Sequence, residues 1–229
     1  MLDNSDRMRS LLQKYLSALV LMSAVSSVAS GQPWYVATTG SDSNAGTLSS
    51  PFKSIEKAVS VVKGGETIYL RGGTYNLTAT ITLSKSGAEN TVISVIAYPG
   101  EVPVLNFSAQ TQSSGNRGLV LTGSWWHIKG ISITGAGDNG MIISGGNNNL
   151  IDQCSFYRNR DTGLQIDNGA SDNQVRNCDS YFNADPPDND DADGFAPKLT
   201  AGSGNSFYGC RAWRNSDDGW DGYLRGTND

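Results

Sequence analysis

Four aspartates near the end of the chain have a spacing suited to holding a cation. Asp193 and Asp218 each directly precede a glycine. Asp217 lies beside Asp218, and Asp221 follows three residues later. If the two glycine segments stack as neighbouring strands, Asp193 and Asp218 lie about 5 Å apart, and carboxylates packed so closely cannot all remain ionised without a cation. Their oxygens suit Ca²⁺, so we predict that these four aspartates form a calcium site; the alternative is a solvated acidic ridge, since aspartate is common in turns.

The elements that position these aspartates follow a repeat. Four segments align on one glycine each, at intervals of 23, 31 and 25 residues; these are Gly140, Gly163, Gly194 and Gly219. The longest interval holds the acidic insert 185–191, and without about eight residues the period is about 23. A period near 23 with short strands and turns rich in Asn and Gly predicts an all-β solenoid, a parallel β-helix with three short strands in each coil. The three cysteines repeat at 24 and 32 residues, which favours a stack of small buried side chains: Cys154, Cys178 and Cys210.

The repeat also predicts side-chain directions. The residue after each glycine is apolar and should point inward: Met141, Leu164, Phe195 and Trp220. Alternation along the strand then places the next residue and the fourth residue outside. This predicts an outer face that carries Gln165, Asp167, Lys198, Asp221 and Tyr223. Gln165, Tyr223 and the nearby Arg225 are candidate contacts for a carbohydrate substrate.

Composition limits the classes of partner. The chain of 229 residues has 17 basic and 22 acidic residues, a formal charge of -5. This sign argues against nucleic acid or an anionic membrane as a partner, because both require clustered positive charge. The 38% of hydrophobic residues can fill the core of one domain, and we expect a monomer.

The first thirty residues differ in character from the rest. A basic start, a short apolar centre and a small-residue end are typical of a secretory signal, so we predict a signal peptide over 1–30, a β-helix domain over 31–229 and secretion. Ser54 should begin a short helix with Ile55 and Ala58 on its apolar face. This helix is expected to cover the otherwise exposed first coil.

The aspartate segments resemble a known family. The stretches 192–198 (ADGFAPK) and 204–221 (GNSFYGCRAWRNSDDGWD) are similar to the calcium-site region of family 9 polysaccharide lyases, which are pectate lyases. Residues 34–75 more weakly resemble the start of many secreted β-helix proteins. The resemblance covers most of the mature chain. It implies a right-handed parallel β-helix, Ca²⁺-dependent β-elimination of polygalacturonate, and calcium ligands at the four aspartates named above.

The resemblance also implies a general base that removes the substrate proton. In that family the base is a lysine on a coil C-terminal to the last calcium aspartate, and residues 222–229 contain no lysine. The expectation is therefore a chain truncated at the C-terminal side and possessing little lyase activity as given. Lys198 is the candidate substitute, because it should lie one coil before Asp221; a salt bridge to the aspartates is its favoured role and would keep it protonated. Arg225 could contact a carboxylate of the polymer.

Two other functions use the same fold. A pectin-type glycoside hydrolase would need paired carboxylates, which Asp217 and Asp218 could supply. Hydrolases of that kind add a histidine near the site, whereas His127 lies far upstream and is interpreted as a packed side chain. A non-catalytic cell-wall-binding or adhesive β-helix needs only an exposed carbohydrate face. Absorbance at 235 nm from unsaturated product, with and without chelator, separates all three.

Overall fold

The computed structural model describes residues 31–225, and the predicted signal segment 1–30 lies outside the described residues. Within 31–225 there is one helix, α1 (Ile55–Val61), and eighteen short strands. The strands are β1 (Trp34–Val36), β2 (Thr67–Leu70), β3 (Gly73–Asn76), β4 (Ile81–Leu83), β5 (Ile93–Ala97), β6 (Pro103–Asn106), β7 (Leu119–Leu121), β8 (Trp126–Lys129), β9 (Ser132–Thr134), β10 (Met141–Ser144), β11 (Leu150–Asp152), β12 (Ser155–Tyr157), β13 (Leu164–Asp167), β14 (Gln174–Arg176), β15 (Asp179–Tyr181), β16 (Phe195–Pro197), β17 (Ser206–Tyr208) and β18 (Arg211–Trp213). No helix of this described part is long and apolar enough to cross a membrane.

The strands form three parallel sheets that the chain visits in turn. Sheet A has the order β1-β2-β5-β8-β11-β14-β17, sheet B the order β16-β13-β10-β7-β4, and sheet C the order β18-β15-β12-β9-β6-β3. The five coils from β3 to β17 each contribute one strand to each sheet, β18 begins a further coil, and equivalent strands of successive coils pair in parallel. This is the predicted parallel β-helix.

The predicted glycine frame is confirmed. Met141 pairs with Leu164 and Leu164 with Phe195, while an isolated parallel bridge joins Phe195 to Trp220. The first three of these side chains are fully buried, and the Trp220 ring packs 4.7 Å from that of Phe195, between ring centroids. Inside the coils the core is a stack of aliphatic and aromatic side chains, including Ile68, Leu121, Ile133, Phe156 and Val175.

The repeated glycine has a steric cause. A Cβ atom on Gly163 would lie 2.9 Å from the carbonyl oxygen of Gly194, and one on Gly194 would lie 2.5 Å from that of Gly219. The backbones of successive coils therefore approach too closely at this position for any side chain. The column extends one coil further back than the sequence frame, because Gly118 stands in the same relation to Gly140.

The outer face of sheet B is covered. Gln165, Asp167 and Lys198 are buried, although they lie at positions predicted to point away from the core. The turn after β6 reaches the acidic insert three coils later, where Gln112 Nε2 donates a hydrogen bond to the Pro186 carbonyl at 2.9 Å. Because Asp167 and Lys198 are removed from water, their electrostatic interactions are stronger than at an exposed surface.

The helix and the cysteines occupy their predicted places. The Ser54 side chain caps α1 by accepting a hydrogen bond from the Lys57 amide, and Ile55 and Ala58 are buried against the first coil.

Cys154 and Cys178 are buried, Cys210 is half-buried, and all three are free thiols. The Cys154 amide donates to Cys178 Sγ at 3.4 Å, so the cysteines stack as the repeat predicted.

Candidate functional site

Three of the four predicted aspartates come together at the turn before sheet B. The Gly194 amide donates to the Asp218 carbonyl at 2.9 Å, which fixes the two turns in register. Carboxylate oxygens of Asp193, Asp217 and Asp218 all lie within 4.8 Å of one another. Asp193 is fully buried, whereas Asp217 and Asp218 are exposed. The cluster thus has one fixed, dehydrated carboxylate and two that face solvent.

Asp221 lies outside this group of three. Its Oδ1 accepts a hydrogen bond from the Tyr223 amide at 2.8 Å, and its Oδ2 is 3.5 Å from Lys198 Nζ. The Asp221 side chain is therefore turned toward the lysine, and Lys198 connects it to the cluster.

Lys198 follows β16 and is almost enclosed. Its Nζ donates to Asp193 Oδ2 at 3.0 Å. Burial alone lowers the pKa of this ammonium, but the hydrogen bond to Asp193 and the charges of Asp193 and Asp221 outweigh that effect and raise the pKa above its ordinary value. Lys198 is therefore held protonated at neutral pH, as the salt-bridge interpretation of the sequence predicted.

The carboxylates repel one another. Burial raises the pKa of Asp193 in spite of its bond to Lys198. The pKa of Asp217 is also raised, first by burial and to a smaller extent by the charges of Asp193 and Asp218. A cation at this point would relieve both effects. The donor set consists of carboxylate oxygens without sulfur or imidazole, and this set fits Ca²⁺ better than a transition metal.

A hydroxyl holds Asp193 from the other side. Thr162 Oγ1 donates to Asp193 Oδ2 at 3.1 Å, from the equivalent turn one coil earlier. Sequence reasoning missed this residue, although Thr162 also directly precedes a repeat glycine. Its position directly before Gly163, which matches that of Asp193 before Gly194, could have identified Thr162 from the sequence.

A second acidic pair was also missed. Asp138 lies two residues before Gly140, and Asp161 lies two residues before Gly163. Asp217 has the same position relative to Gly219, two coils after Asp161. Burial and a hydrogen bond to Asp138 raise the pKa of Asp161 to about 7. Arg117 Nε lies 3.3 Å from Asp138 Oδ2.

The predicted substrate contacts differ in accessibility. Gln165 is buried, with its Oε1 accepting from Asn139 Nδ2 at 3.0 Å, so its side chain is already engaged within the protein. Tyr223 and Arg225 are exposed on the segment that follows Asp221, and the guanidinium carbon lies 5.3 Å from the centroid of the tyrosine ring. His127 lies on β8 in sheet A, a different sheet from the aspartates.

Comparisons with known proteins identify the family and the fold. Residues 34–228 match the family described as Pel9A-like, right handed beta helix region. Pectate lyase L of Paenibacillus polymyxa (strain SC2) is 45% identical over 226 residues, which cover 94% of this chain and 50% of that protein. The crystal structure of pectate lyase Pel9A superposes with a TM-score of 0.78 at 40% identity, covering 86% of this chain and 51% of the other.

A further solved structure has the same fold. It is described as a rhamnogalacturonan lyase and matches with a TM-score of 0.73 at 27% identity, over 85% of this chain and 54% of its own. The right-handed form of the parallel β-helix is thereby confirmed. The chain spans about half of the length of the curated relatives it matches first.

Proposed function

Because the chain belongs to the family of Pel9A-like right-handed β-helix proteins, we propose that it is a secreted pectate lyase that cleaves polygalacturonate by Ca²⁺-dependent β-elimination. The resemblance to family 9 polysaccharide lyases is confirmed by this membership. One observation carries the proposal to this chain: the carboxylates of Asp193, Asp217 and Asp218 converge on one point at the edge of sheet B.

We propose Asp193, Asp217, Asp218 and Asp221 as the calcium ligands. Asp193 is fixed by Thr162 and by the strand register, so it would anchor the ion. Asp217 and Asp218 are exposed and can adjust to it. Asp221 would join them by leaving Lys198, from which it is 3.5 Å away.

The chemistry of elimination explains why such a site is useful. In β-elimination a base removes the weakly acidic proton α to a uronic carboxylate, and negative charge develops on that carboxylate as the proton is lost. The electron pair then forms a double bond to the β carbon while the C–O bond to the leaving sugar breaks and the leaving oxygen takes up a proton. Bound Ca²⁺ supplies positive charge at the uronic carboxylate and joins the acidic polymer to an acidic protein. The exposed Arg225 and Tyr223 lie on the segment after Asp221, where a guanidinium could pair with the carboxylate of a neighbouring sugar.

Lys198 has two conceivable roles, and its contacts favour one of them. As a general base it would have to lose its proton, which its ion pairs with Asp193 and Asp221 oppose. We therefore propose that Lys198 acts as the counter-ion of the cluster. An enzyme that keeps normal Ca²⁺ affinity but loses all elimination in Lys198→Ala would instead assign it the role of base.

The experiment is an elimination assay on polygalacturonate, followed by absorbance at 235 nm with added Ca²⁺ or with chelator. Asp193→Asn is the test variant, and Asp188→Asn removes one exposed charge from the acidic insert as a matched control. We expect at most weak, chelator-sensitive absorbance for the parent and the control, because Lys198 is held protonated and residues 222–229 contain no lysine. By calorimetry we expect at least about a tenfold loss of Ca²⁺ affinity for Asp193→Asn and an unchanged affinity for the control.

The other functions give different results in the same assay. A hydrolase would release reducing ends without absorbance at 235 nm, and a binding protein would produce neither signal. Calcium affinity equal in the parent and in Asp193→Asn would contradict the metal site whatever the activity.

A further inference from the structure

The outer side of sheet C carries a cleft that is separate from the aspartate cluster. Its volume is about 560 Å³, and none of the four proposed calcium ligands lines it. The cleft spans inner coils of the solenoid, from Thr74 on β3 to Ala184 after β15. Its lining includes the aromatic residues Tyr157 and Phe182 and the two arginines Arg158 and Arg160.

Aromatic rings line this side of the molecule in a regular stack. Tyr157, Tyr181 and Trp213 are register partners on three successive coils. Ring centroids lie 5.1 Å apart for the first pair and 4.5 Å apart for the second, with interplanar angles of 6° and 8°. Trp213 remains 37% exposed. The stack therefore presents ring edges along the solenoid axis, in the direction in which a linear polymer would extend.

A second column lies beside the rings, one residue further along each coil. Arg158, Phe182 and Arg214 follow the three stacked aromatics, and all three have left-handed backbone, with φ of 56°, 58° and 56°. This conformation is uncommon for bulky side chains and is more often taken by Asn or Gly. Phe182 is 38% exposed, and the Arg214 guanidinium carbon lies 5.5 Å from the centroid of its ring. The turns thus place cation, ring and cation in successive coils.

Two arginines on this side have no partner carboxylate. Arg158 and Arg160 are exposed, and among residues 31–225 neither forms an ion pair, whereas Arg211 on the same sheet pairs with Asp179 at 2.7 Å. The two unpaired guanidinium groups can therefore offer positive charge to a ligand, although the chain as a whole has a formal charge of -5. Guanidinium groups bind carboxylates through paired hydrogen bonds, and the C–H side of a sugar ring packs against the face of an exposed aromatic ring such as Phe182 or Trp213.

We propose that this surface, the arginine–aromatic face, binds a second stretch of an acidic polysaccharide whose uronate carboxylates pair with the arginines. It consists of Tyr157, Arg158, Arg160, Tyr181, Phe182, Trp213 and Arg214. The choice of polygalacturonate as that polymer rests on the proposed function, whereas the surface itself does not depend on catalysis. Such a face would keep the enzyme on its polymer between cleavage events.

The test is a binding measurement with the full chain in excess chelator, where the calcium site cannot contribute. An oligogalacturonide of about eight sugars is titrated by calorimetry into the parent, into Arg158→Ala/Arg160→Ala, and into Lys53→Ala/Arg176→Ala. The last pair removes the same charge from exposed positions on other parts of the surface. We expect the first double variant to bind about tenfold more weakly and the control less than twofold more weakly.

A third variant tests the Phe182 ring without straining the backbone. Phe182→Asn removes the exposed ring, while asparagine suits the left-handed conformation at that position. We expect weaker binding at an unchanged melting temperature. Cleavage of oligomers too short to reach both surfaces should proceed in all of these variants as in the parent.

Several results would overturn the proposal. These are no binding by the parent in chelator, equal losses in the arginine variant and the control, equal affinity for a fully methyl-esterified oligomer, or tighter binding of single-stranded DNA of equal charge. Failure of the proposed function has a separate signature, namely arginine-dependent binding without any Ca²⁺-dependent elimination.

Discussion

Lys198 and Asp193 form the most enclosed ion pair near the candidate site, and each constrains the other. Lys198→Met should destabilise the chelated protein, because Asp193 then stays buried without a counter-charge. We expect a loss of up to about 3 kcal/mol, limited because Asp193 can take up a proton. The melting temperature in chelator measures this loss, and addition of Ca²⁺ should restore more stability to the variant than to the parent.

The control for this change is Lys129→Met. Lys129 pairs with Asp152 at 2.8 Å but remains about one third exposed, so solvent screens the pair. Its removal should cost under about 1 kcal/mol and should not alter the response to Ca²⁺. Equal effects of the two substitutions would contradict the counter-ion role of Lys198.

Asp161 should make stability depend on pH. Its pKa is raised to about 7 in the folded chain by burial and by Asp138, from an ordinary value near 3.8. The folded state then holds the proton more tightly than the unfolded state, so this contribution to stability is complete below about pH 4 and is lost as the pH rises through about 7. Asp161→Asn mimics the protonated acid, and we expect its melting temperature to fall less than that of the parent between pH 5 and pH 8. A parallel decline in both proteins would show that Asp161 is not the titrating group.

At the scale of the element, asparagine ladders hold successive turns together. Asn183 Oδ1 accepts hydrogen bonds from the amide and from Nδ2 of Asn159, and its own Nδ2 donates to Asn215 Oδ1 at 2.9 Å. Asn149, Asn173 and Asn205 repeat the pattern on the other side of the core. Abundant asparagine in the sequence indicated tight turns, and its use as a buried ladder depends on a register that composition does not contain.

Asn183→Ala should therefore weaken the turns on both sides of it. The substitution leaves the amide and Nδ2 of the buried Asn159 without their acceptor, at a cost of about 1–3 kcal/mol for each group, whereas Asn215 Oδ1 keeps its bond from the amide of residue 183. Asn90→Ala, at an exposed turn, should change stability by less than about 0.5 kcal/mol. Denaturant unfolding of the two variants measures the difference, and a stable Asn183→Ala protein would mean that water replaces the ladder.

The sequence predicted some parts of the structure better than others, for identifiable reasons. The frame of Gly140, Gly163 and Gly194 was predictable because close backbone approach admits one residue type, and alternation then gave the inward ladder. The burial of Gln165 and Asp167 on the outer face was not predictable, because it involves contacts with Asn139 and Thr200, which lie 26 and 33 residues away in the sequence. The position of Asp221 depends likewise on side-chain torsion, which spacing does not specify.

At the scale of the whole molecule, a solenoid transmits stability mainly between neighbouring coils. Within residues 31–225 the strands pair only with their equivalents in adjoining coils, and the Gln112–Pro186 hydrogen bond, which spans three coils, joins turns and not strands. A ligand should therefore stabilise the coils that bind it, and its effect on the stability of other coils should decrease with their distance from the ligand. This differs from a compact domain, in which binding usually protects the whole core at once.

Hydrogen exchange of the full chain with Ca²⁺ and with chelator tests this behaviour. We expect added Ca²⁺ to slow exchange in peptides covering 192–199 and 206–221, where the proposed ligands lie, and to leave peptides over 67–97 unchanged. Asp193→Asn should abolish the difference in every peptide, whereas Asp188→Asn should retain it. Uniform protection along the chain would mean that the coils unfold as one cooperative unit, and protection confined to 67–97 would place the calcium site at the other end of the molecule.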